Sequence, residues 1–268
     1  MSLKATILGC GSSGGVPRIG GDWGKCDPAN PKNRRRRCSI LLRKTGGGGE
    51  TRVLIDTSPD LREQMLSAGI GSLDGVLFTH EHADHTHGID DLRAFFLRQG
   101  QRIDVWADDA TGRMLTTRFS YCFYAAPGSD YPPILNLRQI EPGKMVAVSG
   151  KGGEIVALPF HVNHGTIDAL GFRIGDVAYT PDIDGVPAQS LAALENLDLW
   201  IVDALKRQPH GSHWCLSQTL DWIARLKPRR AVLTNMHVDL DYETLVSELP
   251  DGVVPAFDGM ELVLSDGQ

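Results

Sequence analysis

The chain has 268 residues, 41% of them hydrophobic and 22% charged, with a net charge of −6. This is an ordinary globular composition, long enough to bury a core without staples. The acidic balance excludes a nucleic-acid grip built on charge alone. The five cysteines form no CxxC pair and suggest neither a disulfide framework nor a closed cysteine zinc site.

The opening MSLKATILGCG lacks a signal-peptide pattern, and no apolar run approaches the length of a bilayer span. The expectation is a cytoplasmic protein with no membrane partner. Ala5–Leu8 reads as a first strand, and Gly9-Cys10-Gly11-Ser12-Ser13-Gly14 follows it with the spacing GxGxxG. A dinucleotide site needs a helix there and an acidic residue about 20 positions on. Gly15, Pro17, Gly20 and Gly21 forbid the helix, and the acidic position falls in the run Arg34–Arg37. The segment is therefore a glycine loop, either a tight strand exit or a place where amides approach a ligand. The arginine run reads as a solvated loop, with a phosphate-facing loop as the alternative.

Further short apolar runs follow at Ser39–Leu42, Val53–Ile55, Val76–Phe78, Ile103–Trp106, Ile155–Pro159, Val177–Tyr179, Leu199–Val202 and Ala231–Leu233. They read as buried strands. Gly46–Gly49 and Gly150–Gly153 read as hairpin loops. Helical spacing appears at Leu61–Ala68, at Leu92–Leu97, and from Leu216 to Leu226 ahead of Pro228. Strands alternating with helices give an α/β class, read as one domain over residues 1–268.

Chemistry gathers where strands stop. Val76–Phe78 leads into Thr79-His80-Glu81-His82-Ala83-Asp84-His85. Three imidazoles and a carboxylate in six residues are a metal-ligand set that no core requires. Position 84 is Asp, so the HExxH pattern of zincins fails. In an extended segment, His80 and His82 face one way and Asp84 and His85 another. Four more runs stop at candidate ligands: His161 to His164, Asp182, Asp203, and the segment Thr234-Asn235-Met236-His237. Asp56 orients a ligand imidazole or caps a turn, and Asp203 has the same two readings. Glu81 reads as a spacer, and His87 and His210 read as surface residues.

The pattern HxHxDH, here His80, His82, Asp84 and His85, resembles the metallo-β-lactamase superfamily. Gly9–Arg18, Ser212–Leu216 and Phe257–Glu261 are similar to segments of the phosphoribosyl cyclic phosphodiesterases of phosphonate breakdown and their relatives. The pyrroloquinoline quinone biosynthesis accessory proteins share the glycine-rich opening. The resemblance implies a four-layer αββα sandwich. It also implies two divalent ions per chain, zinc or manganese. His80, His82 and His164 would hold the first, and Asp84, His85 and His237 the second, with Asp182 bridging them. Relatives often carry Thr-His where this chain has Thr234-Asn235, which leaves His237 to supply the last imidazole. The early structural zinc of the resembled phosphodiesterases is not expected, because only Cys26 stands in the corresponding stretch.

By the same resemblance, Asp84 belongs to the catalytic centre and His213 is a catalytic acid. The reaction implied is hydrolysis of a small cyclic or nucleotide-like phosphate ester by a metal-bridging hydroxide. Two other functions are an acyl hydrolase of lactones or thioesters on the same metals, and a metal-binding accessory protein without turnover. Expected partners are a small phosphate-containing substrate such as a nucleotide, no strongly bound nucleic acid, and at most a second copy in a homodimer.

Overall fold

In the computed structural model, which describes residues 2–125 and 127–264, the apolar runs assemble into two seven-stranded sheets. The first holds β1 (Ser2–Gly9), β2 (Ser39–Gly46), β3 (Gly49–Ile55), β4 (Gly75–Leu77), β5 (Ile103–Ala107) and β6 (Leu135–Gln139), side by side in chain order. The second holds β7 (Val146–Val148), β8 (Ile155–His164), β9 (Ile167–Ile174), β10 (Val177–Thr180), β11 (Leu199–Asp203), β12 (Arg230–Thr234) and β13 (Val253–Pro255). β14 (Glu261–Leu264) then returns to pair antiparallel with β1. All nine apolar runs fall on strands, and both glycine clusters join neighbouring antiparallel strands, as expected.

The period of two along each strand decides what each side chain packs against. In the first sheet, Ile40, Leu42, Val53 and Ile55 turn inward and share a core with Phe160, Phe172, Tyr179 and Ile201 of the second. Their neighbours Leu41 and Leu54 turn outward, with Val76, Phe78 and Val105, against helices. Those helices are α1 (Leu61–Ala68), α2 (Ala83–Thr86), α3 (Arg93–Gln99), α4 (Asp109–Arg118) and α5 (Ser120–Phe123). Leu61, Met65 and Phe95 supply their buried faces. On the other side, α6 (Leu216–Leu226) and α7 (Tyr242–Glu248) bury Leu216, Ile223 and Leu245 in an apolar cluster continuous with the second sheet. The result is the αββα sandwich. Each layer depends on complete burial: Leu54 is fully enclosed, and Leu54→Ala would cost about 2–5 kcal/mol.

Strand direction positions the site. β3, β4 and β5 run parallel. β10, β11 and β12 also run parallel, and β8, antiparallel to β9, points the same way as β10. The carboxyl ends of β3, β4, β8, β10, β11 and β12 therefore deliver the residues that follow them to one place. Gly88, just past α2, lets this motif sit close: its N–H donates to Thr57 O at 2.9 Å, and a Cβ there would stand 2.0 Å from Ser58 O.

Candidate metal centre

Asp182, two residues beyond β10 and 3% exposed, stands at the middle of the cluster, and its two oxygens face different groups. Oδ2 lies 3.6 Å from His80 Nε2 and 3.4 Å from His164 Nε2. Oδ1 lies 3.1 Å from His85 Nε2, which is itself 3.5 Å from Asp84 Oδ2. His82 joins through its Nδ1, 3.1 Å from His164 Nε2. The ligand atoms of His80, His82, His164 and Asp182 all lie within 4.8 Å of one another.

Hydrogen bonds fix which nitrogen of each ring is free. His164 Nδ1 is 2.6 Å from Ser212 O, a carbonyl that only accepts, so Nδ1 carries the proton. His85 Nδ1 donates to Asp56 Oδ2 at 2.8 Å. The Thr79 hydroxyl donates to that same Asp56 oxygen at 2.8 Å, which leaves its lone pair for His80 Nδ1 at 3.0 Å. All three rings thus turn an Nε2 lone pair inward, and those of His80 and His85 are buried without a hydrogen-bond partner. Converging lone pairs with carboxylates around them are what a cation satisfies, and outer carboxylates that orient ligand imidazoles are a regular feature of such sites. The residues fit a metal.

Electrostatics agree. Burial first of all holds His80 and His164 below the ordinary imidazole range, in the neutral form that ligates. Burial also opposes a charged His85, yet Asp182, Asp84 and Asp56 outweigh it and raise its pKa. Three carboxylates around one ring demand positive charge, whether a proton or an ion supplies it.

A second carboxylate–imidazole pair adjoins the cluster. His213, in the loop before α6, donates Nδ1–H to Asp203 Oδ2 at 2.8 Å and holds Nε2 3.9 Å from Asp182 Oδ2. Its ring centroid is 4.6 Å from that of His164. Burial pushes Asp203 up to about 7 despite this bond. In its partner, burial is outweighed by the Asp203 bond and charge, which lift His213 to about 9. The two therefore behave as a pair sharing one proton at neutral pH.

Sequence reasoning placed His80, His82, Asp84, His85, His164, Asp182 and His213 near one site, and the structure gathers them. It does not bring His237 to them. β12 ends at Thr234, and Asn235, with φ of 58°, turns its side chain inward to donate Nδ2–H to Asp182 Oδ1 at 3.3 Å. His237 lies two residues farther on, and its ring instead meets Arg18 and Asp239. Asp56 also has positive φ, 65°, so two of the strained non-glycine residues lie in the site. Asp56, Asp203 and Asn235 are residues whose roles the sequence left undecided, and Asp56 proves to orient His85; for the other two the structure shows where the signal lay. Their signal was position: one ends its strand, and the other directly follows its strand.

Residues 51–236 match the family model described as the beta-lactamase superfamily domain, a span that includes every residue of the cluster. A solved PhnP-family diphosphatase is 33% identical and superposes with a TM-score of 0.87, with 98% of each chain covered. An octanoyltransferase of Porphyromonas gingivalis is 32% identical over 98% of this chain, which spans about half of that relative's length, 52%. A ribonuclease Z of Deinococcus radiodurans is 32% identical over 91 residues, 33% of this chain and 28% of the relative.

Proposed function

The chain belongs to the beta-lactamase superfamily, and from that membership, as a metallo-β-lactamase-fold hydrolase, we propose that it is a two-metal phosphodiesterase acting on a small phosphate ester. The observation that carries this reading is the division of Asp182: Oδ2 serves His80 and His164, and Oδ1 serves His85. A carboxylate used from both sides is the arrangement a pair of ions requires. His80, His82, His164 and Asp182 would hold one ion, and Asp84, His85 and Asp182 the other, with Asn235 in place of an imidazole beside it. Divalent ions of the zinc or manganese class, when bound there, supply Lewis acidity and lower the pKa of water.

The protein's own groups do the rest. Asp56 and Thr79 keep His85 and His80 in one tautomer and orientation. Ser212 O does the same for His164. His213, held protonated by Asp203, presents Nε2 toward the cluster and donates its proton to the departing alkoxide. The carboxylates Asp84 and Asp182 offset only part of the charge of two divalent ions, so a phosphodiester monoanion suits the remaining positive charge. The diphosphatase and ribonuclease relatives, both phosphate-ester or anhydride enzymes by name, support this choice.

An acyl substrate is the second reading, favoured by the octanoyltransferase relative, although this chain corresponds to only half of that protein. Metal-loaded protein assayed on bis(p-nitrophenyl) phosphate and on an octanoyl thioester separates the two. Phosphodiester turnover well above thioester turnover is expected. Thioester cleavage without any phosphodiester cleavage reverses the assignment.

A further inference from the structure

Four imidazoles converge on the centre, and three of their rings are held by a group outside the ligand set: His80 by Thr79, His85 by Asp56 and His164 by Ser212 O. His82 is the exception. It is exposed, and among the described residues its ring meets no hydrogen-bond partner except His164. A ligand imidazole is ordinarily oriented by a partner on its other nitrogen. Without one, His82 is aimed by its backbone alone.

That backbone is fastened on both sides. After the His82 Cα, His82 O accepts from Thr86 Oγ1 at 2.9 Å and from His85 N at 3.1 Å. Before it, Glu81 O accepts from Arg118 Nη1 at 3.0 Å. Thr86 and His85 belong to the same short segment and move with it. Arg118 does not. It is the last residue of α4, a helix seated against the first sheet through the buried Leu115. The next residue, Phe119, sets its ring edge-on to His87, with centroids 5.2 Å apart and planes at 87°. The end of α4 thus grips the motif at two points, just before His82 and just beyond α2. Among the described residues, the bond to Glu81 O is the only hydrogen bond that the Arg118 side chain makes. A charged donor makes it stronger than a neutral one would.

Resting on the two-metal reading, we infer that Arg118 is a positioning residue for His82: it ties Glu81 O to the end of α4 and so sets where the His82 ring meets the first ion. It acts through the backbone and not as a ligand. Asp84 and His85 need no such help, because His85 is fixed through its ring by Asp56 and through its carbonyl by Thr57 N at 2.8 Å. Loss of Arg118 therefore falls on the ion held by His80, His82 and His164.

Arg118→Ala removes the tether, and Arg118→Lys keeps a charged donor. In chelator competition with zinc, Arg118→Ala should weaken one ion by about tenfold, and Arg118→Lys should recover much of that loss. The visible absorption of cobalt-loaded protein should change in Arg118→Ala and return toward wild type in Arg118→Lys. A third readout needs no metal. The amides of His85 and His87 donate to His82 O and to Ala83 O, and in metal-free Arg118→Ala they should exchange faster by nuclear magnetic resonance, while those of β12 keep their wild-type rates. Unchanged affinity, spectrum and exchange overturn the inference, and so does an equal loss in both variants. A raised KM for an anionic ester with wild-type metal affinity also overturns it and assigns Arg118 to the substrate. If wild type binds no metal, the two-metal reading falls and amide exchange alone decides: faster exchange in Arg118→Ala keeps the tether, and unchanged exchange removes it.

Discussion

Asp203 accepts the Nδ1 proton of His213 at 2.8 Å, and this single bond directs the opposite nitrogen of the ring toward Asp182. A general acid contributes only where the leaving group needs a proton. His213→Ala should therefore keep its metals and lose about 10²–10⁴-fold in kcat on an alkyl or ribose leaving group. On p-nitrophenolate, which departs unaided, the loss should be far smaller. Steady-state rates on the two esters check this, and equal losses would assign His213 to binding or structure instead.

Asp182 faces both halves of the centre, so its removal should disturb both. Fully loaded wild-type protein should contain two transition-metal ions per chain by elemental analysis. Asp182→Ala should retain fewer than one under the same dialysis. A wild type that saturates at a single ion would sink the two-metal arrangement.

Asn235 offers an amide where an imidazole would be the stronger ligand for a zinc-class ion. Its left-handed backbone conformation is one that histidine also tolerates. Asn235→His should tighten the weaker of the two sites by about tenfold or more, the scale on which supporting groups alter metal affinity. Chelator competition reads the change directly. An unchanged or weakened affinity, with the fold intact, would place the second ion elsewhere.

Asp241 caps α7 and ties it to the early loop. Its side chain accepts from Thr244 N at 2.9 Å, Asp27 N at 3.1 Å and Asn33 Nδ2 at 2.6 Å. Partial burial works against its charge, but these bonds prevail and hold the carboxyl at about 2. A carboxyl with a lowered folded pKa stabilises fully above the unfolded value, near 3.9, and loses that effect as pH falls through the folded one. Asp241→Ala should cost about 1–2 kcal/mol at pH 7. In urea titrations the gap to wild type should shrink between about pH 4 and pH 2. A gap independent of pH would assign the effect to packing.

The sequence made most of this site legible because its ligands are punctuation. His80, His82, Asp84 and His85 are contiguous, and Asp182 follows a strand of four buried residues. What it concealed was pairing across the fold. Nothing in the spacing of Asp203 and His213 says that the intervening loop doubles back to join them. His237 was expected as the last ligand because the resemblance implies a final imidazole there and Asn235 stands in its usual place. Geometry instead favoured the residue immediately after β12, where the turn aims Asn235 inward. Likewise β9 does not stand out as a separate run in the sequence, because it follows β8 after only two residues. The polar helix α4 carries its only clear signal in Asp108, whose side chain accepts from Thr111 N at 2.8 Å.

The candidate ligands are drawn from both sheets: His80, His82, Asp84 and His85 follow β4 in the first, and His164, Asp182 and Asn235 lie at strand ends of the second. An ion held among them would be a rivet through the sandwich, fastening two layers that meet chiefly through apolar contact and a few hydrogen bonds such as Leu170 N to Thr79 O at 2.8 Å. Present at a hundred times its dissociation constant, one such ion adds about 2.7 kcal/mol to the folded state. Without metal, that contribution to stability would be lost along with the chemistry. A chain that less stable would be degraded faster, so the amount of this protein would track the supply of metal.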